Sequence, residues 1–266
     1  MDTERREFVQ LLREQEVLAA HTTIALGGPA DYFARVKSLD ELRGGLAWAA
    51  AEKLSILILG GGSNLILPDA GVRGLVLQIA IGGIDLIDTA DATQTIAVGA
   101  GVPWDDFVNW SVAQGLSGIE CLAGIPGTVG ATPIQNVGAY GQEVAQTILA
   151  VEVLERATGT VRQIPAAKCE FAYRQSRFKQ ADRDRFVVLR VFFGLRKDRM
   201  EPPRYAELQR LLRERFPELD FDPDANEAGS ANPPAEPGER VVVLETIRDA
   251  VLSLRRSKSM IVDPAD

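Results

Sequence analysis

Short apolar runs of strand length dominate the middle of this chain, and amphipathic stretches of helical period flank them. "DYFARV" (31–36), "LSILIL" (54–59), "LVLQI" (75–79), "IDLIDT" (84–89), "TIAVGA" (95–100) and "FVVLRVFFGL" (186–195) read as strands. "ILAVEVLERATGTVRQI" (148–164) reads as a hairpin turning at Thr158-Gly159. The N-terminal segment predicts a helix with Phe8, Val9, Leu11 and Leu12 on one side. Ser38 and Glu41 have capping-box spacing and predict a helix through Ala51, with Leu42, Leu46 and Ala50 as its apolar stripe. Pro103 opens another helix, with Asp105 and Asp106 in its first turn and Gly115 beyond its end. Glu201–Arg215 and about Val241–Ser257 complete the helices, the last with Leu244, Ile247, Val251 and Leu254 at helical spacing.

Glycine placement changes this picture. Of 24 glycines, 16 lie between Gly60 and Gly141. Turns alone would scatter them along the chain, so the clustering suggests several loops converging on one extended ligand. In "LILGGGSNLIL" an apolar strand meets three glycines, Ser63 and Asn64, then turns apolar again. Bare N–H groups in such a turn form an anion site suited to a pyrophosphate, yet the same residues serve equally as a plain tight turn. Neither the phosphate-loop Gly-Lys-Ser/Thr nor the G-x-G-x-x-G fingerprint is present. Residues 115–142 hold seven glycines and one charge, Glu120, which predicts a buried, conformationally exacting loop. "GIPGTVG" (124–130) and "NVGAYG" (136–141) can bring backbone against a flat ring, or can be two turns between short strands. In "CEFAYRQSRFK" (169–179), Arg174 is a fork-shaped permanent cation whose plainest role is a surface salt bridge.

Composition narrows the function classes. The chain has 266 residues and net charge -8, with seven acids and no base between Pro217 and Glu239. That segment also has five prolines and reads as an exposed, disordered insertion. No basic surface predicts nucleic-acid binding. No apolar run of about 18 residues predicts a membrane span, and the charged N-terminus is unlike a signal peptide. Cys121, Cys169 and a single histidine, His21, cannot supply a zinc site. The few cysteines suit a cytoplasmic protein.

"HTTIALGGPADYF", "LILGGGSNLIL", "GIPGTVGATPIQNVGAYG", "CEFAYRQSRFK" and "LRRSKSMIVDP" occur in that order. Together they resemble the UDP-N-acetylenolpyruvylglucosamine reductases (UDP-N-acetylmuramate dehydrogenases) of peptidoglycan synthesis. The resemblance covers nearly everything from His21 to Asp266 except the acidic segment. It implies an α+β flavoprotein of the vanillyl-alcohol-oxidase type. Two FAD-binding subdomains, 1–74 and 75–199, would be followed by residues 200–266 leading into an absent substrate domain. It implies non-covalent FAD, NADPH as co-substrate and a UDP-sugar substrate. By resemblance, Gly60, Gly61, Gly62, Ser63 and Asn64 face the FAD pyrophosphate. Gly124, Gly127, Gly130, Asn136, Gly138 and Gly141 line the flavin. Arg174 is catalytic, and Tyr173, Tyr205 and Lys258 meet the substrate. Lys258 can equally be a helix C-terminal cation. His21 lies outside the glycine loops and reads as structural. The proton-donor serine in a "G-S-F-F-K-N" setting and the C-terminal glutamate of the resemblance are not matched, so turnover by this chain alone is expected to be poor. A monomer is favoured. Two other readings stay open: a flavin oxidase of the same fold, and a non-catalytic FAD binder.

Overall fold

A computed structural model describes residues 3–90, 92–198, 200, 203–215 and 237–261. Helix α1 (Thr3–Val9) and strand β1 (Arg13–Val17) open the chain. Phe8 is fully buried while Val9 is exposed, so the expected four-residue face is broken at Val9. The strand was not legible in "REQEV", which is polar and mostly exposed. It holds its place by antiparallel backbone pairing to β2 (Pro29–Val36), with Arg13 opposite Phe33.

Helix α2 (Leu39–Ala51) starts at Ser38, whose hydroxyl accepts from the Glu41 N–H at 3.1 Å. The Glu41 carboxylate reaches back to the Lys37 N–H at 2.6 Å rather than to the cap residue. Its buried face is Leu42, Gly45, Trp48 and Ala49, whereas Ala50 is exposed, a rotation away from the expected stripe. The cause is helix contact. A Cβ on Gly44 would lie 2.6 Å from the Glu4 carbonyl oxygen, so α1 crosses where α2 has no side chains.

Strands β3 (Ile56–Leu59) and β4 (Val72–Ile79) complete a four-stranded sheet in the order β1-β2-β4-β3, parallel except for β1. A division at 74/75 would cut β4; the change of sheet falls after Ile79. The second sheet is antiparallel. It contains β5 (Ile84–Ala90) and β6 (Thr93–Gly99). Between it and the last three strands come α3 (Trp104–Ala113) and the two-residue strands β7 (Gly138–Ala139) and β8 (Gln142–Glu143). Strands β9 (Ile148–Glu155), β10 (Val161–Pro165) and β11 (Phe186–Arg196) give the order β10-β9-β11-β6-β5. The predicted hairpin at Thr158-Gly159 is present, with Val161 opposite Leu154.

Helix α4 (Ala206–Arg215) is shorter than expected, and α5 (Pro237–Ser257) starts earlier than expected. Leu244, Ile247, Val251 and Leu254 on α5 are buried as their spacing predicts. The expected disorder of the acidic segment lies outside the described residues, save that Pro237–Glu239 belong to α5.

One continuous apolar core joins both sheets, from Phe8, Leu42 and Leu75 to Val98, Phe107 and Phe193. Phe107 and Phe193 have ring centres 4.9 Å apart, which fixes α3 on β11. Each fully buried aromatic of this kind contributes about 1.5–3 kcal/mol through its burial. A smaller cluster, including Leu18, Phe33 and Leu59, forms a separate part of the core. Two carbonyl-directed bonds, Val129 N–H to Val102 and Gly130 N–H to Ala100, both at 2.9 Å, tie the 115–142 loop to the point where the sheets meet.

Candidate functional site

At that meeting point lies a cavity of about 1050 Å³. Its walls are apolar where the sheets contribute Ile58, Ile79 and Val188, and glycine-rich where the loops do. Gly60, Gly61, Gly62, Ser63 and Asn64 leave the end of β3 and line it directly. Among the described residues, no protein group accepts from the main-chain N–H groups of residues 60–65. Only Gly62 of this stretch is buried and Asn64 is exposed, so these N–H groups stay open to a ligand oxygen or to solvent. Of the three glycines, Gly62 takes a left-handed φ of 66°, and a Cβ there would lie 2.1 Å from the His21 carbonyl oxygen. The side-chain amide of Asn64 donates to Gln135 Oε1 at 3.1 Å, joining the first glycine loop to the second.

The second loop divides by role. Gly130 and Gly138 line the cavity, with Thr128, Ile134 and Tyr140. Gly124, Gly127, Gly141 and Asn136 do not. Gly127 packs behind the first loop, where a Cβ would lie 2.8 Å from Ser63 Oγ. Gly124 lies against α5 and Gly141 against Arg204. Asn136 is a buried brace. Its amide donates to Glu143 Oε2 at 2.8 Å and to the Ala172 carbonyl at 3.1 Å, and its oxygen accepts from the Ala145 N–H at 3.1 Å.

Ser176 completes this brace from the other side, donating to the Ile134 carbonyl at 2.6 Å. Between them, Ala172 and Gln175 exchange backbone hydrogen bonds of 3.1 and 3.0 Å, closing a two-residue turn. Tyr173 and Arg174 form its tip, with Arg174 at a left-handed φ of 54°. The turn aims Arg174 into the cavity lining, where its guanidinium donates to the Gly138 carbonyl at 2.7 Å. Among the described residues no carboxylate pairs with it, so the ordinary salt-bridge role is not what the structure shows. Tyr173 is 79% exposed and stays outside the lining.

Tyr205 and Lys258 also line the cavity. The Tyr205 ring meets Tyr140 edge-on at 5.2 Å, and the Lys258 ammonium lies 5.5 Å from its centre. Lys258 is ion-paired with Glu207, whose hydrogen bond raises its pKa. Burial raises the Tyr140 hydroxyl, keeping it protonated.

Sequence reasoning missed Arg255. It is 8% exposed, lines the cavity, and its Nε has no partner among the described residues. Its Nη2 donates to the Met260 carbonyl at 3.1 Å. Burial lowers its pKa, the signature of a cation taken out of water. In "LRRSK" it looks like one of two helix-end surface cations; only the packing of α5 against Gly124 distinguishes it.

His21 lies apart from this cavity. Its Nε2 stands 2.9 Å from Glu16 Oε1, and its ring packs on Phe33 at 4.3 Å. Burial raises both thiols, Cys169 to about 11 and Cys121 well above its usual range, so neither is a ready nucleophile. No helix among the described residues is long and apolar enough to cross a membrane.

The arrangement suits a long, partly anionic, partly planar ligand. Main-chain N–H donors of residues 60–65 can meet an anion, the apolar wall of Ile58, Ile79 and Val188 suits a flat ring, and Arg174, Arg255 and Lys258 supply positive charge. The volume is at the upper end of the range for small-molecule sites, about 300–1,000 Å³.

Comparison with known proteins agrees. The FAD binding domain family matches residues 30–164. A UDP-N-acetylenolpyruvoylglucosamine reductase of Thermobifida fusca is 45% identical over 94% of this chain, and the chain spans 64% of that protein's length. The crystal structure of a UDP-N-acetylenolpyruvylglucosamine reductase from Thermus caldophilus superposes with a TM-score of 0.62 at 25% identity, covering 92% of this chain and 70% of that one. A solvent-stable cholesterol oxidase superposes with a TM-score of 0.50 at 12% identity over 71% of this chain, a likeness of fold alone.

Proposed function

This chain belongs to the FAD-binding domain family, and on that premise we propose that it is the flavin-binding part of a UDP-N-acetylenolpyruvylglucosamine reductase using NADPH. The observation that carries this reading is one cavity lined both by residues 60–65, whose main-chain N–H groups donate to no protein group among the described residues, and by the cations Arg174, Arg255 and Lys258. The donors fit a pyrophosphate dianion, and each hydrogen bond to a charged oxygen contributes about 1.5–3 kcal/mol. Bound there, non-covalently, FAD supplies a two-electron relay between NADPH and the enolpyruvyl double bond. Gly130 and Gly138 let the cavity wall pack closely on Ala100 and on β8, and the Asn136–Ser176 brace holds that wall.

Arg174 faces the cavity without a competing carboxylate. In this reading it stabilises negative charge developing on the substrate carboxylate as hydride arrives. Lys258 and Tyr205, in the same reading, meet the UDP-sugar. Peptidoglycan synthesis in the cytoplasm is the setting this chemistry implies.

The test is anaerobic. FAD-loaded chain is mixed with NADPH, then with UDP-N-acetylenolpyruvylglucosamine. Bleaching of the flavin band by NADPH, and perturbation of that band by the UDP-sugar, are expected. A flavin inert to NADPH but reduced by a small alcohol would replace this reading with that of an oxidase.

A further inference from the structure

Glu207 is not among the residues lining the cavity, yet it controls two that are. Its Oε2 accepts from the Lys258 ammonium and also from the Tyr205 hydroxyl, the latter at 3.4 Å. A single carboxylate oxygen therefore gathers two donors from separate segments, the start of α4 and the end of α5. The Lys258 ammonium lies over the Tyr205 ring, and Tyr140 fixes that ring from its edge. The hydrogen bond from Lys258 holds the Glu207 carboxyl below its usual range, so it is anionic at neutral pH.

We propose that Glu207 is a placeholder anion. It engages the two donors that a phosphate of a nucleoside diphosphate would take, and by competition it sets how tightly Lys258 holds that phosphate. The inference rests on the proposed reading of those two residues as substrate contacts. Three features support an exchange rather than a permanent pair. Both partners are about one-third exposed, so the pair is weak enough to break. A diphosphate carries more charge than a carboxylate and competes well for the same donors. Glu207 stands in the first turn of α4, where helix N–H dipoles favour an anion, so it is not stranded on release.

The experiment uses the FAD-loaded chain with UDP as probe, and calorimetry to read affinity. Glu207→Gln is expected to tighten UDP binding about two- to fivefold, the worth of releasing an exposed ion pair. Lys258→Ala is expected to weaken binding about tenfold. Adding Glu207→Gln to Lys258→Ala is expected to give little further tightening, because only the long Tyr205 contact is left to compete for. Unchanged or weaker UDP binding in Glu207→Gln, with Lys258→Ala still harmful, would overturn the placeholder alone. Equal tightening in the Lys258→Ala background would also overturn it, leaving mere charge repulsion. UDP binding that is absent, or indifferent to Lys258→Ala, would overturn the proposed substrate site and the placeholder with it.

Discussion

Gly61 and Gly127 are set back to back: a Cβ on Gly61 would stand 2.8 Å from the Gly127 Cα. The contact is backbone to backbone, so neither residue can yield by rotating a side chain. It joins the two glycine loops into one wall and sets the position of the N–H row.

Gly61→Ala should therefore weaken FAD binding at least tenfold, because the first loop must move to accommodate the methyl group. Gly60→Ala is the control. Its Cβ would meet the Thr128 hydroxyl at 3.0 Å, which can turn aside, and Ala131 at an ordinary 3.9 Å. Fluorescence titration with FAD should separate the two variants; equal affinities would mean that the loop contact does not position the donors.

Arg255→Met should act in opposite directions with and without ligand. Removing a buried cation with an unpartnered Nε relieves its desolvation. The ligand-free chain should melt about 2–4 °C higher. The increase in melting temperature on adding FAD should shrink, since a cation facing the ligand is lost. A lower melting temperature in both states would show that Arg255 is a packing residue only.

Glu120 gives a pH-dependent prediction. Burial raises its pKa, although the Gly118 N–H at 2.6 Å and Gln142 Nε2 at 2.9 Å oppose the shift. A raised carboxyl means that the folded state binds the proton more tightly than the unfolded state. Stability from this group is thus lost as pH rises from about 4.3, the ordinary glutamate value. The destabilisation caused by Glu120→Gln should be smaller at pH 8 than at pH 5, by urea unfolding at both. A larger effect at pH 8 would contradict the sign.

Arg185 links β9 to the 176–185 loop by bonding Glu155 at 2.7 Å and Asp182 at 3.0 Å. Burial opposes ionisation of Asp182, but the bonds to Arg177 and Arg185 outweigh it and lower its pKa. The stability contributed by such a carboxyl is present above its unfolded value and lost as pH falls through its folded one. Arg185→Ala should lower the melting temperature by about 2–4 °C at pH 7 and by less at pH 3. An equal drop at both would deny the ionic link.

What was legible in the sequence follows from what each element relies on. β11 and α5 form through apolar side chains at fixed spacing, and that spacing is visible. β1 forms through main-chain pairing beneath polar side chains, so "REQEV" gave no periodic signal. The glycine loops were visible as loops, but glycine names a conformation or a close contact without saying what is close. Gly62 avoids His21, Gly127 avoids Ser63, and Gly141 avoids Arg204. Asn136, likewise, looked like a ligand contact and is a brace between loops 36 residues apart. Arg255 and Glu207 depend on how α4 and α5 meet the cavity, which no local pattern encodes.

The central claim is that the main-chain donors at the end of β3 and the cations lining the same cavity hold FAD without a covalent bond. Reconstitution tests it most directly. The purified chain is incubated with FAD, passed through gel filtration, and the protein fraction is precipitated with acid. The account predicts a yellow protein carrying about one flavin per chain, all of it released into the acid supernatant. A colourless protein fraction, or flavin that remains in the pellet, would contradict it.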